Sequence, residues 1–111
     1  MTEPTLSVVL NGDTVIEYQR SEYTSDDQQL FLDKMDRDMR AGINIGGEYI
    51  EDPDENERIN YVAMKLIQAI LTGNEALITA MCAYISNRYF ALEEIQAEQE
   101  GDQIVMTFIF N

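Results

Sequence analysis

Histidine and tryptophan are absent from the 111 residues, and cysteine occurs once. Without imidazole there is no His-based triad, no His-ligated metal and no His proton shuttle. A single thiol, Cys82, excludes an intramolecular disulfide and a cysteine-cluster zinc site. Cations are scarce as well: 7 Lys and Arg stand against 21 Asp and Glu, for a formal net charge of -14. That imbalance speaks against simple, unassisted binding to nucleic-acid phosphates or to an anionic membrane surface. The main apolar stretch, Tyr61 to Leu71, holds Lys65 and Gln68 and is too short to cross a bilayer. No Gly-x-Ser-x-Gly elbow, Walker loop or Gly-x-Gly-x-x-Gly fingerprint occurs. Met1-Thr2-Glu3-Pro4 lacks the basic and apolar pattern of a secretory leader. Together with the free Cys82 it sets the cytoplasm as the expected compartment.

What is present is the composition of a folded chain. At 45% hydrophobic residues, a chain of this length can form one core without metal or disulfide support, and residues 1–111 read as a single domain. Thr5 to Arg20 predicts a β-hairpin around Asn11-Gly12-Asp13. A two-residue Asn-Gly loop sets Val8 against Val15 and Leu6 against Glu17, scattering apolar residues over both faces. A three-residue loop gathers Leu6, Val8, Leu10, Ile16 and Tyr18 on one face, so burial favours the odd loop. Thr24-Ser25-Asp26-Asp27 predicts a helix start with a Ser25-x-x-Gln28 capping box. Phe31, Leu32, Met35 and Met39 supply that helix's apolar stripe. Asp33–Arg37 and Asp36–Arg40 stand four apart in the favourable acid-first order, and Gly42 predicts a Schellman-type stop.

Ile43 to Glu51 predicts a loop or short extended piece hinged at Gly46-Gly47. Asp52-Pro53-Asp54-Glu55 predicts a second helix with Asp52 as N-cap and Pro53 at its first position, running to about Thr72. Its only wet stripe is Arg58, Tyr61, Lys65, Gln68 and Thr72. Gly73-Asn74 ends it and caps a third helix reaching about Tyr89. Ala91 to Glu100 is helix-forming in composition. Yet Ile95 and Ala97 alternate with Glu94, Gln96 and Glu98, and Glu100-Gly101-Asp102 suits a turn, which predicts a strand pair through Phe110. The expected fold is α+β in the order ββαααββ: a small antiparallel sheet, made of an N-terminal and a C-terminal hairpin, against three helices. The last strand is apolar on both faces, as for a strand in mid-sheet or against another subunit. The helix hairpin is apolar nearly all round. This surplus predicts a homodimer through one or the other.

Carboxylates are the only catalytic material in quantity, and none sits in an apolar run as a general acid would. No catalytic residue, metal or cofactor is assigned, and a protein with no catalysis of its own is expected. Asp52, Asp54 and Asn56 copy the first ligands of an EF-hand. The match then fails, because Glu57 stands where glycine is required and Ala63 where glutamate is. Candidate partner-binding residues are Glu48, Glu51, Asp52, Asp54, Glu55 and Glu57 in one segment, and Glu94 and Glu98 on the outer face of the last hairpin. Spaced carboxylates on rigid elements complement a basic protein surface. The leading reading is an acidic accessory or regulatory protein that binds a basic protein partner, without direct nucleic-acid or membrane contact. The alternative is a DNA mimic or immunity-type inhibitor of a nucleic-acid-binding protein, which needs carboxylates in two rows at phosphate-like spacing. A small-molecule sensor or enzyme comes next, and needs a tyrosine-lined cavity with a buried carboxylate. Tyr61 is the aromatic residue best placed for a site, and Cys82 reads as a small buried hydrophobe.

Overall fold

The computed structural model describes residues 5–19, 25–45 and 47–110. The first hairpin is β1 (Thr5–Leu10) and β2 (Asp13–Gln19), followed by α1 (Asp26–Ala41). Two short strands, β3 (Ile43–Ile45) and β4 (Glu48–Ile50), precede α2 (Glu55–Thr72) and α3 (Glu75–Arg88). The chain then forms β5 (Leu92–Glu100) and β6 (Gln103–Phe110). Arg20, Thr24 and Gly46, which the sequence assigns to a hairpin end, a helix start and a hinge, lie outside the described residues.

The α+β class and the three helices are as expected; the sheet is not. Its order is β2-β1-β5-β6, and β1 runs parallel to β5, with Ser7 beside Glu94 and Leu10 beside Ala97. The wholly antiparallel sheet is thus corrected to a mixed one. The order ββαααββ becomes ββαββααββ, because Ile43 pairs with Ile50 and Ile45 with Glu48 in a second small sheet. Strand periodicity reports which residues share a face but not which strand lies beside which, so the parallel pair left no local mark. Residues 92–100 are strand, against their helix-forming composition, because alternate burial of Ile95 and Ala97 decides the matter.

The first hairpin meets both of its sequence constraints at once. Asn11 and Gly12 have φ of 51° and 86°, so a two-residue turn closes between Leu10 and Asp13. Beyond it Val9 pairs with Thr14 while Val8 pairs with Ile16, leaving Val15 as an extra, bulged residue. The expected three-residue loop is therefore wrong. The pairings it was invoked for, Leu6–Tyr18 and Val8–Ile16, are present through the bulge. Asn11 also ties the turn to β5. Its N–H donates to the Ala97 carbonyl (2.8 Å), and its side-chain oxygen accepts from the Gln99 N–H (2.8 Å).

Leu6, Val8, Leu92, Ile95 and Ala97 are buried with Leu32, Val62, Leu66, Ile67, Cys82 and Ile85 in one core beneath the helices. Ser25 caps α1 by accepting from the Gln28 N–H, but Phe31 turns to solvent while Leu32 and Met39 are buried. Phe31 lies one position off the line through Leu32 and Met39, so the stripe is narrower than expected. Gly42 stops α1 at φ 142° and ψ 151°, not in the left-handed helical conformation of a Schellman stop. A Cβ there would run into the ring of Tyr49, whose hydroxyl donates to the Ala41 carbonyl (2.8 Å). The N-cap of α2 is Asp54, not Asp52: Asp54 and Glu57 exchange the two hydrogen bonds of a capping box (2.8 and 3.0 Å). Asp52 instead turns the chain out of β4 at φ 46°, leaving Pro53 buried ahead of the cap. Gly73, left-handed at φ 70°, and Asn74, accepting from the Leu77 N–H, join α2 to α3 as expected.

The two intrahelical pairs expected on α1 give way to a tertiary one. Asp33 and Asp36 both bind Arg88 of α3, each at 2.9 Å, while Lys34 pairs with Asp38 at 3.0 Å. A partly buried guanidinium that engages two carboxylates outweighs exposed pairs along one helix. Among the described residues no helix is long and apolar enough to cross a membrane.

Two stability measurements test this packing. Asn11→Gly keeps the left-handed turn and loses the Gln99 bonds, and should cost about 1 kcal/mol in a urea titration. Asn11→Ala also strains the turn and should cost about 2 kcal/mol; equal losses would remove the left-handed requirement. The second concerns Cys82, fully buried, whose thiol is pushed up to about 11 by desolvation. The folded chain then holds that proton above pH 9 when the unfolded chain has released it, so stability falls as pH rises from about 9 toward 11. Between pH 8 and pH 10 the parent chain should lose about 1 kcal/mol more than Cys82→Ala. Parallel pH profiles for the two proteins would contradict the burial argument.

Candidate functional site

The candidate carboxylates divide between two faces of the molecule. Glu48 stands on β4, Glu51 and Asp52 follow it, and Asp54, Glu55 and Glu57 start α2. Asp54 and Glu57 are engaged in the capping box, and Glu55 turns toward a cavity described below. Glu94 and Glu98 belong to the opposite, helix-free face of the main sheet, because they alternate with buried Ile95 and Ala97. There the Gln96 amide donates to Glu94 (2.7 Å), and Ser7 separates Glu94 from Glu17 of β2. The structure does not bring the two groups together. Among the described residues no three Cys, Asp or Glu side chains gather as a metal ion would need.

A different feature stands out on the helix side. The sheet ends at β6, which pairs only with β5. Its composition suits a strand in mid-sheet or against another subunit; the first of these is corrected, since β6 is an edge. No charged residue occurs from Gln103 to Phe110, whereas the other edge, β2, carries Asp13 and Glu17. Natural edge strands are commonly blunted by charge, proline or a bulge; β6 has neither charge nor proline, and the one irregularity of its ladder puts the extra residue on β5, between Leu92 and Glu94. Val105, Ile109 and Phe110 are 46%, 38% and 52% exposed.

Beside this edge runs a groove of about 570 Å³ between β6, α2 and the β3–β4 hairpin. Ile104 and Met106 supply one wall, Tyr61, Met64, Lys65 and Gln68 the other, and Ile45 and Ile50 one end with Glu57. The wet stripe read on α2 is thus split. Tyr61, Lys65 and Gln68 face the groove, with the Lys65 ammonium 5.1 Å from the Tyr61 ring centroid, while Arg58 turns elsewhere. Tyr61 was legible from its place on the stripe. The contribution of β6 was not, since nothing local reports that Ile104 and Met106 lie near α2.

Arg58 faces a second, shallower cavity of about 380 Å³ with Asp36 and Arg40 of α1, Glu55, and Tyr84, Arg88 and Tyr89 at the end of α3. The Asp36 carboxylate accepts from the Tyr84 hydroxyl at one oxygen and from Arg88 at the other. The rings of Tyr84 and Tyr89 meet edge to face at 5.9 Å. Burial, and next the hydrogen bond to Asp36, push the Tyr84 phenol far above its ordinary range; burial raises Tyr89 as well. Three of the seven cations of the chain therefore share one concavity. Sequence reasoning missed it, because residues 40, 58 and 88 lie on three different helices and no spacing links them. No family model, no curated protein and no solved structure matches this chain.

Proposed function

We propose that this chain is an accessory protein that binds a basic partner protein by taking an extended segment of it as a fifth strand on β6. The observation that carries the reading is the unprotected, chargeless edge of β6 lying beside a preformed groove. In strand addition the main chain supplies affinity and alternate side chains supply specificity. Inward-pointing side chains of the added strand enter the groove against Ile104, Met106 and Met64. Its outward-pointing ones lie beside Val105 and Ile109.

Charge supplies the preference for a cationic partner. Glu57 lines the groove, and Glu48, Glu51, Asp52 and Asp54 occupy the chain leading to it from β4, while Glu55 turns to the other cavity. A net charge of -14 attracts a basic segment over distance and speeds its arrival. Glu94 and Glu98 lie on the helix-free face, across from Ile109 and Val105 in the β5–β6 pair and one strand removed from the added one. On their face Gln96 interrupts the row, which gives a DNA mimic less support than β6 gives strand addition. Among the described residues no carboxylate is buried, which likewise favours docking over acid–base turnover.

One observation favours a second occupant. Antiparallel pairing of β6 with β6 of another copy sets no charge against charge along the new seam, and gives the homodimer expected from the apolar surplus. The repulsion between two chains of -14 each ranks it behind a basic partner.

Amide hydrogen exchange with a synthetic peptide alternating valine and lysine, as long as β6, tests the reading. Saturable binding should protect amides of β6 and weaken about tenfold between low and physiological salt. The double variant Val105→Lys/Ile109→Lys, altered at exposed positions, should bind about tenfold less tightly with unchanged far-UV circular dichroism. Binding that leaves the β6 amides unprotected, or none at millimolar peptide, overturns it. A sedimentation mass of two chains, returned to one by the same double variant, assigns the edge to a second copy instead.

A further inference from the structure

The cavity of Arg40, Arg58 and Arg88 has no part in strand addition, since it lies on the α1 side of α2 and shares no lining residue with the groove. In a chain with 21 carboxylates and 7 cations, every arginine has acidic candidates to spare. Arg88 takes two of them. Arg40 and Arg58 take none: among the described residues neither forms an ion pair, and Arg40 donates only to the Asp36 carbonyl at 3.4 Å. The Arg58 Nε is buried and has no hydrogen-bond partner among the described residues. A buried N–H without an acceptor gives up its water and gains no bond in return, and such groups call for a missing partner.

The carboxylates of the cavity do not supply that partner. Each oxygen of Asp36 accepts from another group, one from Tyr84 and the other from Arg88. Glu55 lines the cavity one helical turn before Arg58 without pairing with it. The lining itself carries three arginines against two carboxylates, Asp36 and Glu55, and only with Asp33 behind Arg88 do the charges balance, in a molecule that is otherwise strongly negative. The flat donor forks of Arg40 and Arg58 match the oxygens of a phosphate in pairs, which a carboxylate can answer only once.

We propose that this cavity is an oxyanion site that holds a phosphate group between Arg40 and Arg58, with Arg88 fixed behind them by Asp33 and Asp36. At about 380 Å³ and open to solvent, it admits either free phosphate or the phosphate end of a monoester.

The test is a titration of the full chain, following the arginine Nε–Hε signals by NMR, with inorganic phosphate and, separately, with O-phosphoserine. Sodium chloride and sodium acetate at matched ionic strength are the controls. Phosphate should move the Arg58 signal saturably, with acetate at least about tenfold weaker and chloride without a saturable effect. Arg40→Gln and Arg58→Gln should each weaken phosphate about tenfold, while Arg37→Gln, on the exposed side of α1, leaves it unchanged. Tighter binding of phosphoserine assigns the site to a monoester, and equal binding to the free ion. Shifts that follow ionic strength alone, or undiminished phosphate binding in Arg40→Gln, overturn the proposal. Should Arg58→Gln fail to fold, the parent titration and Arg40→Gln decide it.

Discussion

The parallel pairing of β1 with β5 is the joint on which the rest of this molecule depends. Each hairpin can form from local sequence, but a two-stranded ribbon alone is marginal in water. Only the ladder from Ser7–Glu94 to Leu10–Ala97, extended by the Asn11 bonds to Ala97 and Gln99, makes one sheet of them. Once it forms, all three helices lie on the chain between the two hairpins, and their apolar surfaces close over one face. Leu6, Val8, Ile95 and Ala97 are the residues that face them. The same joint leaves the far face open, with Glu94, Gln96 and Glu98 upon it, and sends β6 to the edge.

What the sequence disclosed follows from the range of each interaction. Features decided within a turn or two were legible: the place of the first hairpin though not its loop length, the Ser25 and Asn74 caps, the Gly73 stop, and the alternation that makes residues 92–100 a strand. Errors arose where two local solutions were equally good, as with Asp52 and Asp54, both followed by a glutamate three residues later. Others arose where a distant partner outbid a near one. Asp33 and Asp36 each had an arginine four residues on, yet both turned to Arg88, because a shared and partly buried guanidinium is worth more than an exposed pair. Both cavities fall into this last class. Tyr61 and Lys65 could be nominated from the face of α2, but Ile104, Met106 and the arginine trio only from coordinates.

Charge is distributed with the same logic. The excess of carboxylates is left on exposed turns, helix starts and the open sheet face, where water screens their repulsion. The core beneath them contains no buried polar or charged residue among those described. The arginines do not scatter as counterions to this surface. Arg88 is drawn inward to lock α1 against α3, and Arg40 and Arg58 stand beside it without carboxylates of their own. Neutralising the exterior would have been the simpler use of so few cations, so their gathering at one point is the least random feature of the chain's electrostatics.

The two sheet edges show why an unprotected β6 need not lead to open-ended association. A sheet with two receptive edges stacks head to tail, and such contacts propagate into filaments unless the rotation closes. Here β2 carries Asp13 and Glu17 and is bent by the bulge at Val15, and charge and bulge are two of the devices by which natural edges refuse partners. With -14 charges on every copy, a β6 edge that met a β2 edge would set chargeless strand against acidic strand at the full cost of bringing two anionic bodies together. On the proposed reading only the β6 edge accepts, so each chain can add one strand and then stops. Whether that strand comes from a basic partner or from a twin, the complex it makes is closed.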